Sequence, residues 1–126
     1  MIRKSVWHWE AARRAGAVLG RNFNKRDKLT VEKKGHNDFV SSADLAAERA
    51  IIDVIHKHYP DHAIQAEESG VSGESDHVWI IDPLDGTTNY LHGFPVFAVS
   101  IGLQINGRLE HAVVYDPMRE ELFTAS

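Results

Sequence analysis

The sequence predicts an α+β domain in which two N-terminal helices pack on one face of a mainly antiparallel sheet. Three observations predict it. Apolar residues recur at helical spacing in two early stretches, residues 5–24 and 41–58. After Asp61 the pattern changes to short apolar runs of strand length. Turn-forming pairs, Asn106-Gly107 above all, separate those runs. Helices followed by a run of strands is the order of an α+β domain.

The first helix, over 5–24, carries Val6, Trp9, Ala12, Ala15, Gly16, Leu19 and Phe23 as its apolar stripe. Polar residues 24–28 end it, residues 29–33 alternate as a short strand, and Lys34 to Asp38 reads as a loop. Ser41-Ser42-Ala43-Asp44 then opens the second helix, which runs to about His58 and stops at Tyr59-Pro60. Ser41 with Asp44 has the spacing of a capping box, with Asp in place of the preferred Glu. Ala47, Ile51, Val54 and Ile55 form its apolar face. Next come a strand over 63–66 and a Gly/Ser-rich loop over 70–76. The run Val78-Trp79-Ile80-Ile81 reads as a buried strand. Strands over 97–105 and 109–115 flank Asn106-Gly107, and a last turn at residues 116–119 leads into a strand over 121–124. Nothing marks an internal repeat or a linker, so the expectation is one domain over 1–126. The outermost strand is expected to lack following cover.

Charge and composition narrow the function. Net charge is −4, so no global basic field draws in nucleic acid or an anionic membrane. Direct nucleic-acid contact is therefore not expected, and an anionic substrate needs local neutralisation. With no Cys, a disulfide framework, a thiolate metal site and a Cys nucleophile are excluded. The N-terminal stretch has no continuous apolar core of a secretory signal, and no apolar run approaches the ~20 residues of a membrane span. The expectation is a soluble, cytoplasmic protein.

The chemistry centres on Trp79-Ile80-Ile81-Asp82-Pro83-Leu84-Asp85-Gly86-Thr87-Thr88-Asn89. A strand runs into Asp82, and Pro83, unable to donate to a ladder, is expected to turn the chain there. Asp82 and Asp85 flank that turn, Gly86 permits close backbone approach, and Thr87-Thr88-Asn89 reads as the first turn of a short helix. Free N–H groups at such a terminus bind phosphate, and hard oxygen ligands beside them suit Mg²⁺. Alone, Asp85-Gly86 is an ordinary turn pair; the whole run is far more specific. A second feature is Glu67-Glu68-Ser69, placed at the end of the preceding strand. Adjacent strand residues face opposite ways, so one Glu is free to bind metal. If the two strand ends lie side by side, Glu67, Asp82 and Asp85 converge.

Here the chain resembles the inositol monophosphatase family. Asp82-Pro83-Leu84-Asp85-Gly86-Thr87-Thr88-Asn89 is similar to that family's signature, Ala66-Glu67-Glu68-Ser69 to its glutamate motif, and the run from Asn37 to Asp44 to a third motif, with Ser41 where Thr is usual. The resemblance runs from the first helix to Ser126 and covers the N-terminal half of the family pattern. It implies a Mg²⁺-dependent phosphatase acting on inositol monophosphate or a similar small phosphate ester. By the resemblance Glu67, Asp82, the Leu84 carbonyl and Asp85 are metal ligands. Thr87, with Glu68 or Asp44, positions and activates the attacking water. Gly86, Thr87 and Thr88 present N–H groups to the phosphate, with Glu67, Leu84 and Asp85 beside it, and Lys34 matches a loop lysine near the site. Such phosphoryl transfer needs positioning and charge neutralisation rather than a covalent intermediate. The family pattern continues past Ser126 with a further Asp ligand and sugar contacts, and its members are commonly homodimers.

Other readings are weaker. The eight His residues show no paired ligand spacing for zinc and read as scattered surface groups. Trp7, Trp9 and Trp79 read as core, and Arg13-Arg14 as a solvated helix face. The alternative function is a non-catalytic scaffold, such as a regulatory partner in transcription.

Overall fold

The computed structural model of the chain describes residues 2–25, 31–35 and 38–125. Helix α1 (Ile2–Phe23) is followed by a hairpin of β1 (Val31–Gly35) and β2 (Asp38–Ser41), then by α2 (Ser42–His58). Six further strands and a short helix come after it. They are β3 (Ala63–Ala66), β4 (Gly70–Ser72), β5 (His77–Asp85), α3 (Thr87–Leu91), β6 (Ala98–Ile105), β7 (Arg108–Asp116) and β8 (Glu121–Ala125). The six strands from β3 onward form one sheet in the order β4-β3-β5-β6-β7-β8. The fold is α+β, as the sequence predicts.

Both helices lie against one face of this sheet. α1 packs on β6 and β7, and α2 on β5. Alternation along the strands sends Trp79, Ile81, Val99, Ile101, Leu103 and Val113 into the core beneath them. The helices reach the sheet through small residues: Ala11, Ala12 and Ala15 of α1 are buried, and a Cβ added at Gly16 would meet the Tyr115 ring at 2.4 Å. That close approach explains a departure from expectation. Trp9 is 40% exposed, because the buried stripe of α1 is Ala11, Ala12, Ala15, Leu19 and Phe23, and a bulky indole does not fit where alanines set the spacing. Trp79 is fully buried; the side chain of Trp7 lies outside the described residues.

The α2 cap is the one predicted. Ser41 has extended backbone angles, its Oγ accepts from the Asp44 N–H at 3.3 Å, and Asp44 Oδ1 accepts from the Ser41 N–H at 2.8 Å. Asn106 and Gly107 take φ of 52° and 80°, both left-handed, and close a two-residue hairpin between β6 and β7.

Four local expectations are corrected. Gly70–Ser72, expected to lie in a loop, pairs with β3 as an outer strand. The Lys34-to-Asp38 loop is shorter than expected, since β1 reaches Gly35 and β2 begins at Asp38; His36 and Asn37 lie outside the described residues, as do residues 26–30 of the region read as polar break and strand. The histidines are not all scattered surface groups: His62 stacks on Tyr59 at 4.6 Å and on His77 at 4.5 Å, and its Nδ1 accepts from the buried Trp79 indole N–H at 2.9 Å. Finally, β5 does not stop at Pro83. It continues to Asp85, with a register shift between Asp82 and Asp85 that spares Pro83 from the ladder and lets it be buried.

One pairing decides which strand ends become neighbours. β3 runs parallel to β5, with Ala66 opposite Ile81, whereas every other neighbouring pair in the sheet is antiparallel among the described residues. β4 folds back on the outside of β3, which lets β5 return on the other side in the same direction. The C-terminal ends of β3 and β5 are therefore side by side.

Candidate active site at the ends of β3 and β5

Parallel register sets Glu67, the residue after β3, beside Asp82. Their side chains share a hydrogen bond, and Asp82 also feels the charges of Asp85 and Asp44. The Asp82 carboxyl is held above its ordinary range, first by burial and then by the charges of Asp85 and Asp44. Hydrogen bonds from Glu67 and from the Leu84 backbone pull the other way. Glu67 and Glu68 belong to the turn after β3 rather than to the strand, so turn geometry and not strand alternation separates their directions. A cleft of about 280 Å³ opens here, lined among others by Gln65, Glu67, Ile80, Asp82 and Ser100.

The next segment supplies the anion side. Gly86 caps α3 with φ of 96°, and a Cβ there would lie 2.9 Å from the Val96 carbonyl oxygen. Only glycine meets both conditions. The first turn of α3 follows with Thr87 and Thr88, as expected, and its leading N–H groups have no acceptor within the helix. A second cleft of about 280 Å³, lined by Asp85, Gly86, Asn89, Ala98 and Asp116 among others, adjoins that turn. Tyr90 anchors α3 from below: it is fully buried, donates its hydroxyl to the Leu19 carbonyl of α1 at 2.6 Å, and packs against Phe23 and Phe97.

The Thr87 hydroxyl lies 3.0 Å from Asp44 Oδ2 and 3.2 Å from the Leu84 carbonyl oxygen, so its one proton serves either acceptor. Asp44 is 3% exposed and its other oxygen holds Ser41. The structure thus brings together Asp44, Glu67, Asp82, Leu84, Asp85 and Thr87, with Gly86 and Thr88 adjoining. Of the two partners expected for Thr87, Asp44 makes the bond. The Glu68 backbone N–H donates to Glu48. The Lys34 side chain lies outside the described residues.

Glu48 was not legible as part of the site. It is 3% exposed, and its carboxylate accepts from the Glu68 N–H at 2.9 Å, the Ser69 N–H at 3.1 Å and the Ser69 hydroxyl at 2.6 Å. The available signal was an acid four residues after Asp44, set among Ala43, Ala47 and Ile51 on the buried face of α2.

Among the described residues no three Asp, Glu or His side chains stand at ready-made ligand spacing for a metal. The donor chemistry nevertheless fits a hard divalent cation. Asp82 is half-buried and crowded by acids, a backbone carbonyl faces the same turn, and an oxygen-only set is what Mg²⁺ prefers.

A sequence model of the inositol monophosphatase family matches residues 6–126. The chain belongs to the inositol monophosphatase family. It is 56% identical over 118 residues to the Nus factor SuhB of Salmonella typhimurium strain LT2, covering 92% of this chain and 44% of that protein. It superposes on the extragenic suppressor protein SuhB of Bartonella henselae with a TM-score of 0.97 at 43% identity, over 98% of this chain and 49% of the other. On the inositol monophosphatase (IMPase) of Thermotoga maritima the TM-score is 0.88 at 38% identity, over 100% and 48%. The chain spans about half the length of the curated relatives it matches. No helix among the described residues is long and apolar enough to cross a membrane.

Proposed function

We propose that this chain carries the first metal site and the phosphate cradle of a Mg²⁺-dependent phosphomonoesterase acting on inositol monophosphate or a similar small sugar phosphate. The observation that carries the reading is the Glu67 side chain hydrogen-bonded to Asp82, with Asp85 close enough for its charge to act on Asp82, beside a Thr87 hydroxyl bonded to the buried Asp44. A pure scaffold gains nothing from gathering like charges, because each raises the cost of ionising the next.

Glu67, Asp82, Asp85 and the Leu84 carbonyl would hold the ion, which supplies charge neutralisation of the phosphate oxygens and a lowered pKa for the attacking water. This chain's own residues do the rest. The N–H groups of Gly86, Thr87 and Thr88 orient the phosphoryl group. Asp44 holds the Thr87 proton so that the Thr87 oxygen offers a lone pair to the attacking water. As the water oxygen bonds to phosphorus and the P–O ester bond breaks, the water proton passes to Thr87 Oγ1 and the Thr87 proton to Asp44 Oδ2. The departing alkoxide takes its proton from solvent.

The test is phosphate release from inositol 1-phosphate, with Mg²⁺ and with chelator, by this chain and by Asp82→Asn. Mg²⁺-dependent release that the variant loses supports the reading; release that ignores both Mg²⁺ and the substitution refutes it. A second reading is favoured by one finding, the Nus factor name of relatives 55–56% identical to this chain. On that reading the fold is a docking module in transcription and the homodimer expected from the resemblance is its working form. A folded chain that neither releases phosphate nor binds Mg²⁺ favours it.

A further inference from the structure

The geometry points to Glu48 as a positioning residue for the proposed metal site, acting through the turn that carries Glu67 and Glu68; the assignment rests on the phosphatase reading above. Glu48 is one helical turn beyond Asp44, so α2 presents two buried carboxylates to the site from one face. Asp44 reaches Thr87, and Glu48 reaches the β3 turn. Three donors converge on the Glu48 carboxylate, two of them backbone N–H groups of consecutive residues, Glu68 and Ser69. A carboxylate that accepts two successive N–H groups fixes the peptide planes between them, and with them the direction in which Glu67 and Glu68 leave the chain. A charge this buried is costly unless fully bonded, and the bonds it makes are to a turn whose Glu67 side chain meets Asp82. The turn joins β3, which ends at Ala66, to β4, a three-residue edge strand with all positions exposed.

Glu48→Gln tests the assignment. The amide is isosteric, but one of its two ends is a donor facing a donor N–H, so the clamp opens without a cavity. Metal affinity falls about 10–100-fold when residues that orient ligands are altered, and a loss in that range is expected by calorimetric titration with Mg²⁺ alone. Ser69→Ala, which removes only the hydroxyl bond, gives a smaller loss. Val54→Ala, a buried truncation on the same helix, lowers stability while leaving Mg²⁺ affinity as it was. Hydrogen exchange gives a metal-free readout: the Glu68 and Ser69 amides exchange faster in Glu48→Gln while amides of β5 and β6 keep their protection. Mg²⁺ affinity in Glu48→Gln within twofold of the parent, or unchanged exchange at Glu68 and Ser69, overturns the assignment and leaves the metal reading standing. A parent chain that binds no Mg²⁺ overturns both.

Discussion

Asp44 and Thr87, 43 residues apart in sequence, meet in a 3.0 Å hydrogen bond that joins the first turn of α2 to the first turn of α3. The same carboxylate closes the capping box with Ser41 through its other oxygen. One buried side chain therefore starts a helix and orients the hydroxyl proposed to meet the attacking water. Asp44→Ala should cost about 1–3 kcal/mol, from the lost cap and from the donors left in a buried place. Urea denaturation measures it. Thr87→Val, which removes only the shared bond, should cost less, and the two substitutions together should cost less than their sum.

Gly86→Ala sets a stricter condition. A left-handed φ and a carbonyl oxygen 2.9 Å from the new Cβ leave an alanine nowhere to go without moving α3. The expected loss is about 1–3 kcal/mol in urea denaturation.

Asp82→Asn should act in opposite directions with and without Mg²⁺. The folded-state pKa of Asp82 is raised by burial and by neighbouring acids. Ionised Asp82 thus destabilises the metal-free fold at pH values above its unfolded pKa, most fully above the raised folded one, and the penalty vanishes on acidification below both. In chelator at neutral pH the Asn variant should melt higher than the parent, and the gap should close as pH falls toward the ordinary Asp range. With Mg²⁺ the parent should gain melting temperature and the variant should not. Differential scanning calorimetry at several pH values with and without Mg²⁺ checks both arms; a variant that keeps the Mg²⁺ gain removes Asp82 from the ligand set.

Much of the site was legible because its anion half is local. Asp82, Asp85, Gly86 and Thr87 lie within six residues, where strand end, turn glycine and helix start can be read from chemistry alone. The capping box at Ser41 and Asp44 and the Asn106-Gly107 hairpin were legible for the same reason. What sequence could not give was the parallel pairing of β3 with β5, since nothing in Ala63-Ile64-Gln65-Ala66 states the direction of the partner strand. Pro83 misled because a ladder position and a bulge look alike in sequence. Glu48 was passed over because an acid on an amphipathic helix is usually solvated, and only the tertiary fold supplies the three donors that offset its burial.

His62→Phe tests the aromatic stack at the other end of β5. The ring can still lie between Tyr59 and His77, but Nδ1 is gone and the fully buried Trp79 indole loses the acceptor at 2.9 Å. A loss of about 1–3 kcal/mol is expected in urea denaturation, together with a shift in Trp79 fluorescence.

The parallel pair also has a kinetic meaning. The β6-β7 hairpin closes between near neighbours in the chain, whereas β3 and β5 pair at a constant separation of 15 residues, with β4 between them in sequence. That pairing brings the Glu67 carboxyl into its hydrogen bond with Asp82. The step that joins β3 to the meander is therefore also the step that assembles the carboxyl pair, and it is complete before any substrate is present.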